Sequence, residues 1–151
     1  MSGGPKAAHV SYYVDADLLG LAKILVQVRG DVTYPGDPGG RVKGRRWRAA
    51  CTITDPATLD YVWIPETARQ QWLIITRDRH IQDHRAEIGA VRDSGARMVN
   101  LAGDDARDTF SQLEVLMCQW RRISALLDGK GPFIYSVTRT SFREVPLQQP
   151  E

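Results

Sequence analysis

Apolar positions along the chain recur with two alternating periods. From Val10 to Val14 the residues are apolar and aromatic, Asp15 follows at once, and Leu18, Leu21, Ala22 and Leu25 then recur at helical spacing. That pattern predicts a buried strand leading into an amphipathic helix. Gly30 is expected to close the helix, and Val32 to Tyr34 to form a short second strand before the breakers Pro35, Gly36, Pro38, Gly39 and Gly40. A long loop follows. Asp55-Pro56 has the form of a cap and a first-turn proline, but Pro65 would then fall in a helix interior. A helix starting at Asp60 instead places Pro65 near its first turn, where a missing N–H costs little, and lets it run on through Gln71. Trp72 to Thr76 then reads as a buried strand entering Arg77-Asp78.

A polar helix is expected from about Gln82 to Asp93, ending near Gly95, with a strand from Arg97 to Leu101 after it. Asp104 or Asp105 is the expected cap of a long helix whose stripe Phe110, Leu113, Met117, Trp120, Ile123 and Leu127 should face the core. Gly129 and Gly131 end it. Phe133 to Val145 alternates enough for one or two last strands, with a turn at Thr138 to Ser141. Strands alternating with helices predict an α/β fold: a mostly parallel sheet covered on both faces, with an antiparallel strand or hairpin at its C-terminal edge.

The 151 residues, 42% hydrophobic and 25% charged, fit one domain spanning 1–151 with its core at about 10–145 and flexible ends at 1–8 and 146–151. MSGGPKAAHV lacks a secretory apolar stretch, and the run Leu18 to Val28 is interrupted by Lys23, so a cytoplasmic protein with no membrane partner is expected. Cys51 and Cys118, at no metal-binding spacing, then read as reduced thiols. Net charge is only +2, yet five of the eight residues from Arg41 to Arg48 are basic. The asymmetry matters more than the sum.

In parallel sheets, ligands bind beyond the carboxyl ends of the strands. Asp15 ends the first strand, Asp78 follows the strand Trp72 to Thr76, and Asp60 opens the helix leading into that strand. Oxygen ligands so placed suit Mg²⁺ or Mn²⁺ rather than zinc.

The stretch D-Y-V-W-I-P-E-T-A-R-Q-Q-W-L-I-I-T-R-D, Asp60 to Asp78, resembles the second half of PIN domains, with Asp60, Ala68, the apolar Leu73 to Ile75, Thr76 and Asp78 in the family's places. V-D-A-D-L, Val14 to Leu18, is similar to the family's opening strand and first metal-binding Asp. The resemblance spans roughly Val10 to Leu101 and implies a three-layer α/β/α sandwich, a Mg²⁺ or Mn²⁺ site and cleavage of RNA phosphodiesters. Family members often act as the toxin of a VapBC-type pair, which implies an RNA substrate and a small antitoxin as partners; a homodimer is compatible. Asp15, Asp60 and Asp78 then carry the metal chemistry, with Asp17 as a fourth ligand or an ordinary N-cap, and Thr76 hydrogen-bonding an aspartate or the phosphate. Many members carry a Glu between the first two aspartates, whereas residues 18–59 here hold none. Asp37 or Asp55 takes its place, or the site resembles a shorter PIN-like branch without it.

Arg77 and Arg79 flank Asp78 and suit either substrate phosphates or an ion pair. Arg45, Arg46 and Trp47 in the basic run suit phosphate contacts with a base stacked on the indole, or a plain exposed loop. His80, Asp83 and His84 are expected on a solvated face rather than on a metal. Two other functions compete. One is a non-catalytic PIN-like module that binds nucleic acid or a partner. The other is a haloacid-dehalogenase-like phosphatase, drawn from Asp15-x-Asp17 and G-D-D-A-R-D at Gly103 to Asp108, but no Lys occurs from 44 to 129 to support its aspartyl-phosphate.

Overall fold

A computed structural model describes residues 6–42, 46–78, 81 and 84–147. In chain order these form β1 (Lys6–Ala7), β2 (Tyr12–Val14), α1 (Leu19–Val28), β3 (Val32–Thr33), β4 (Gly40–Arg41), β5 (Arg46–Arg48), α2 (Asp60–Gln70), β6 (Leu73–Thr76), α3 (Arg85–Ser94), β7 (Arg97–Leu101), α4 (Thr109–Ala125), β8 (Phe133–Val137) and β9 (Phe142–Glu144). The central sheet runs β3-β2-β6-β7-β8-β9, all neighbours parallel except the antiparallel β8–β9 pair at the edge. This is the expected three-layer α/β/α arrangement, and its two cores follow from strand alternation. Tyr12, Val14, Leu73, Ile75, Val99, Leu101 and Val137 point to one face, against Leu21, Ala22 and Leu25 of α1 and Val115, Leu116 and Ile123 of α4. Tyr13, Ile74, Met98 and Ile134 point to the other, against Trp63 and Ile64 of α2 and Ile88 and Val91 of α3. On the first face, a Cβ at Gly20 would lie 2.8 Å from Thr109 Oγ1, so the glycine lets α1 and α4 approach closely.

Several local expectations shift. The long helix α4 buries Gln112, Val115, Leu116, Gln119 and Ile123, whereas Phe110 is 79% and Met117 72% exposed. The expected stripe is rotated because two buried glutamines have polar partners: Gln112 donates to Ala106 O (3.2 Å) and Gln119 to the carbonyls of Thr138, Arg139 and Ser141. Asp108, not Asp104 or Asp105, caps the helix, accepting from Ser111 N at 2.8 Å. Helix α1 ends with Arg29 rather than Gly30 as its extended capping residue. Pro65 lies inside α2, past its first turn, and removes one internal hydrogen bond. Asp55 closes its own turn with Ala57 N and Thr58 N and starts no helix.

The basic loop is more ordered than a loop. Strands β4 and β5 pair antiparallel, and β5 pairs parallel with β1, so Lys6 and Ala7, expected in a flexible end, are tied down. The small sheet is anchored from within by Asp37, whose carboxylate receives Arg48 Nε (2.8 Å) and Nη2 (2.9 Å), Thr33 Oγ1 (3.0 Å) and Gly39 N (2.9 Å). Both charges of this ion pair are buried, at 7% and 0% side-chain exposure, so each depends on the other for solvation. No described helix is long and apolar enough to cross a membrane.

Candidate metal centre

Strand order decides where a crevice opens. Counting only β2, β3, β6, β7 and β8, the sheet has the order 2-1-3-4-5, so the chain reverses direction of growth between β2 and β6. A crevice forms at the carboxyl ends of those two strands. Asp15 stands at the end of β2 and Thr76 at the end of β6, adjacent across the switch point.

Thr76, 2% exposed, donates from Oγ1 to Asp15 Oδ2 at 3.0 Å, while Asp15 Oδ1 accepts from Ala16 N at 2.6 Å. Asp15 thereby caps the 3₁₀ turn Ala16–Leu18, which removes the capping reason for Asp17. Asp60 opens α2, and its Oδ1 accepts from the indole N–H of buried Trp63 at 2.9 Å. Trp63 is itself stacked on Tyr13, so a core aromatic sets the direction of an exposed carboxylate. Asp78 follows β6, held by a reciprocal pair: its N–H donates to Asn100 Oδ1 (2.6 Å), and Asn100 Nδ2 donates to its carbonyl (2.9 Å). Asn100 is 1% exposed on β7, level with Thr76.

Two further side chains join at the start of α3: Glu87, which reading the sequence missed, and His84, which it set on a solvated face. Glu87, in the first turn, is 8% exposed and faces the charges of Asp60, Asp78 and Asp15. His84, just before the helix, contacts Asp78 through Nδ1 and lies 3.7 Å from Glu87 Oε2. Donor atoms of Asp78, His84 and Glu87 all lie within 4.8 Å of one another, so the three could hold one metal ion. His84 is 54% exposed, as the solvated-face expectation has it, and its Nδ1 nonetheless meets Asp78. Neither Asp37, spent on Arg48, nor Asp55, spent on its own turn, supplies the carboxylate absent from residues 18–59; Glu87 reaches the same centre from the opposite direction along the chain. The legible signal was its place in the first turn of the helix that follows Asp78.

Crowded carboxylates resist ionisation together. Burial, then the charges of Asp60, Asp78 and Asp15, push Glu87 up to about 8. Burial also raises Asp15, aided by Asp60 and opposed by the bonds from Ala16 and Thr76. Asp17 is pushed up to about 7 by its crowded position and by Asp15, against the pull of the Arg77 backbone amide and guanidinium, although its surface stays open to solvent. Such a set is relieved by a cation. Its donors are carboxylate oxygens with one imidazole nitrogen, which fits a divalent ion and, compared with an all-oxygen set, tilts the choice towards Mn²⁺.

The other expected residues divide. Arg77 is half-buried beside Asp17, with its Nε buried and without a partner among the described residues. Arg46 and Trp47 are held by β1, and Arg46 lines a cleft with Ala8, His9, Gly30 and Asp31, at the edge of the sheet where its strands begin. That is the end opposite the carboxylates, so these two do not join them. Arg45, Arg79, His80 and Asp83 lie outside the described residues. Asp108 is engaged as the cap of α4 and is not available as the acid of a phosphatase motif.

A family model described as a PIN like domain matches residues 41–103. The match covers Asp60, Thr76, Asp78, His84, Glu87 and Asn100, and it supports a PIN-like domain. Comparison with curated proteins and with solved structures finds no match.

Proposed function

We propose that the chain is a divalent-cation-dependent endoribonuclease. The observation carrying this reading is the gathering of carboxylates at the switch point of a parallel sheet: Asp15 and Thr76 adjacent at strand ends, and donor atoms of Asp78, His84 and Glu87 within 4.8 Å of one another. Without an ionic ligand, those charges only cost stability. A bound Mg²⁺ or Mn²⁺ supplies Lewis acidity towards a phosphate and a more acidic water. Asp15, Asp78 and Glu87 are the ligands, with His84 beside them. Asp60, one oxygen fixed by Trp63, keeps the other for the water that attacks phosphorus as the bond to a ribose oxygen breaks. Thr76 and Asn100 orient Asp15 and Asp78, and the Arg77 guanidinium beside Asp17 is the nearby cation for a phosphate.

Calorimetric titration with Mn²⁺ and hydrolysis of single-stranded RNA test this reading. Asp15→Asn and Asp78→Asn should lose both while keeping their far-ultraviolet circular dichroism; full hydrolysis by Asp15→Asn would exclude the assignment. We assign the chain further as the toxin of a pair with a small antitoxin, in the cytoplasm. Induced expression should then arrest growth and Asp15→Asn should relieve the arrest. Unimpaired growth would remove the toxin role and leave the nuclease role standing.

A further inference from the structure

We propose that the cleft between α4 and the β8–β9 turn is a phosphate-binding track that carries single-stranded RNA away from the carboxylate centre. The inference rests on the nuclease reading for its choice of polyanion.

Place comes from strand register. Thr76 is level with Asn100, and Asn100 with Ser136, so the turn after β8 lies on the same sheet edge as the carboxylates. Strand β6, which leads into Asp78, is two strand spacings from β8, about 10 Å, and β2, which leads into Asp15, is three, about 15 Å. The turn is fixed in that position: Gln119 donates to the carbonyls of Thr138 (2.9 Å), Arg139 (3.3 Å) and Ser141 (3.3 Å), and the hydroxyls of Thr138 and Ser141 are 2.7 Å apart.

Charge supplies the ligand class. A cleft of about 450 Å³ is lined by Met117, Arg121, Arg122, Arg139 and Thr140, with Cys118 and Gln119. Glu114 reaches Arg139 at 3.5 Å, but no described carboxylate pairs with Arg121 or Arg122. Arg122 lies over the Phe142 ring, 6.0 Å from its centroid. Arg121 and Arg122, with Arg139 beside them, suit a run of phosphates. Met117 is the cleft's large apolar side chain, enough for contact with a base and small for anchoring a protein helix. An acidic polypeptide is thus the less favoured occupant.

The test is binding of a fluorescent oligouridine, followed by anisotropy in EDTA across a salt series, for the wild type and Arg121→Gln/Arg122→Gln. Affinity should fall about tenfold, and the slope of log affinity against log salt should flatten by about 0.7 for each lost contact. With Mn²⁺, KM should rise for the long RNA and stay unchanged for a dinucleotide. Weaker binding with a flatter slope supports the track even if no preparation hydrolyses RNA, a result that would defeat only the nuclease reading. Unchanged affinity and slope in a folded variant overturn the track even if hydrolysis is robust. Binding of poly-glutamate in preference to oligouridine, lost in the same variant, overturns it as well.

Discussion

Replacing Glu87 with Gln should make the cation-free protein more stable and the cation-bound protein less so. The folded-state carboxyl is pushed from its ordinary 4.5 up to about 8, so its favourable neutral form is fully present below 4.5. As pH rises, the unfolded chain ionises first, and stability is lost progressively until the folded carboxyl also ionises near 8. At 1.36 kcal/mol per pH unit, the loss is about 3 kcal/mol at pH 7 and about 5 kcal/mol above pH 8. Asp17 is left out of the sum because solvent screens it. Gln keeps the shape and a donor for Asp78 without the charge, so Glu87→Gln should match the wild type within about 1 kcal/mol at pH 5. At pH 9 it should melt on the order of 10 °C higher. At pH 7, Mn²⁺ at 1,000 times its Kd should reverse the order, because it adds about 4 kcal/mol to a chain that binds it, more than the loss of about 3 kcal/mol, and the variant has lost a ligand. Urea or thermal denaturation at pH 5, 7 and 9, with and without Mn²⁺, reads all of this. Equal stabilities of the two proteins at pH 9, or equal stabilisation by Mn²⁺, would refute the reasoning.

Three further outcomes follow from the packing. Asp37→Ala or Arg48→Ala should each destabilise by about 3–5 kcal/mol, because each strands a buried charge; a double-mutant cycle in urea should show the second loss costing far less than the first. Asn100→Ala should weaken Mn²⁺ binding about 10- to 100-fold in calorimetry by freeing the Asp78 backbone, with no ligand removed. On α4, Leu116→Ala should cost about 2–5 kcal/mol and neighbouring Met117→Ala less than about 0.5, a contrast that denaturation curves would reverse if the expected stripe were the buried one.

The amino-acid sequence by itself determined what local patterning controls. Alternating strands and helices, the buried runs Tyr12–Val14 and Leu73–Thr76, the start of α2 at Asp60 and the end of α3 at Gly95 follow from side-chain period and backbone preference over a few residues. The places of Asp15, Asp60 and Asp78 were legible because strand ends and helix starts are local features. Only the tertiary structure decided which polar groups share one environment. Glu87 went unnoticed and His84 read as merely solvated because nothing in their neighbours along the chain reveals that α3 brings Glu87 against Asp60 and Asp78, and His84 against Asp78. The face of α4 was misjudged for the same reason: Gln112 and Gln119 can be buried once carbonyls distant in sequence accept their hydrogen bonds, leaving Phe110 and Met117 in water. Arg46 and Trp47 were drawn to the far end of the sheet by pairing with residues some forty positions earlier. Hydrophobic period is a property of neighbours, whereas the energy of a charge or a buried amide depends on whatever the fold places within a few ångströms of it.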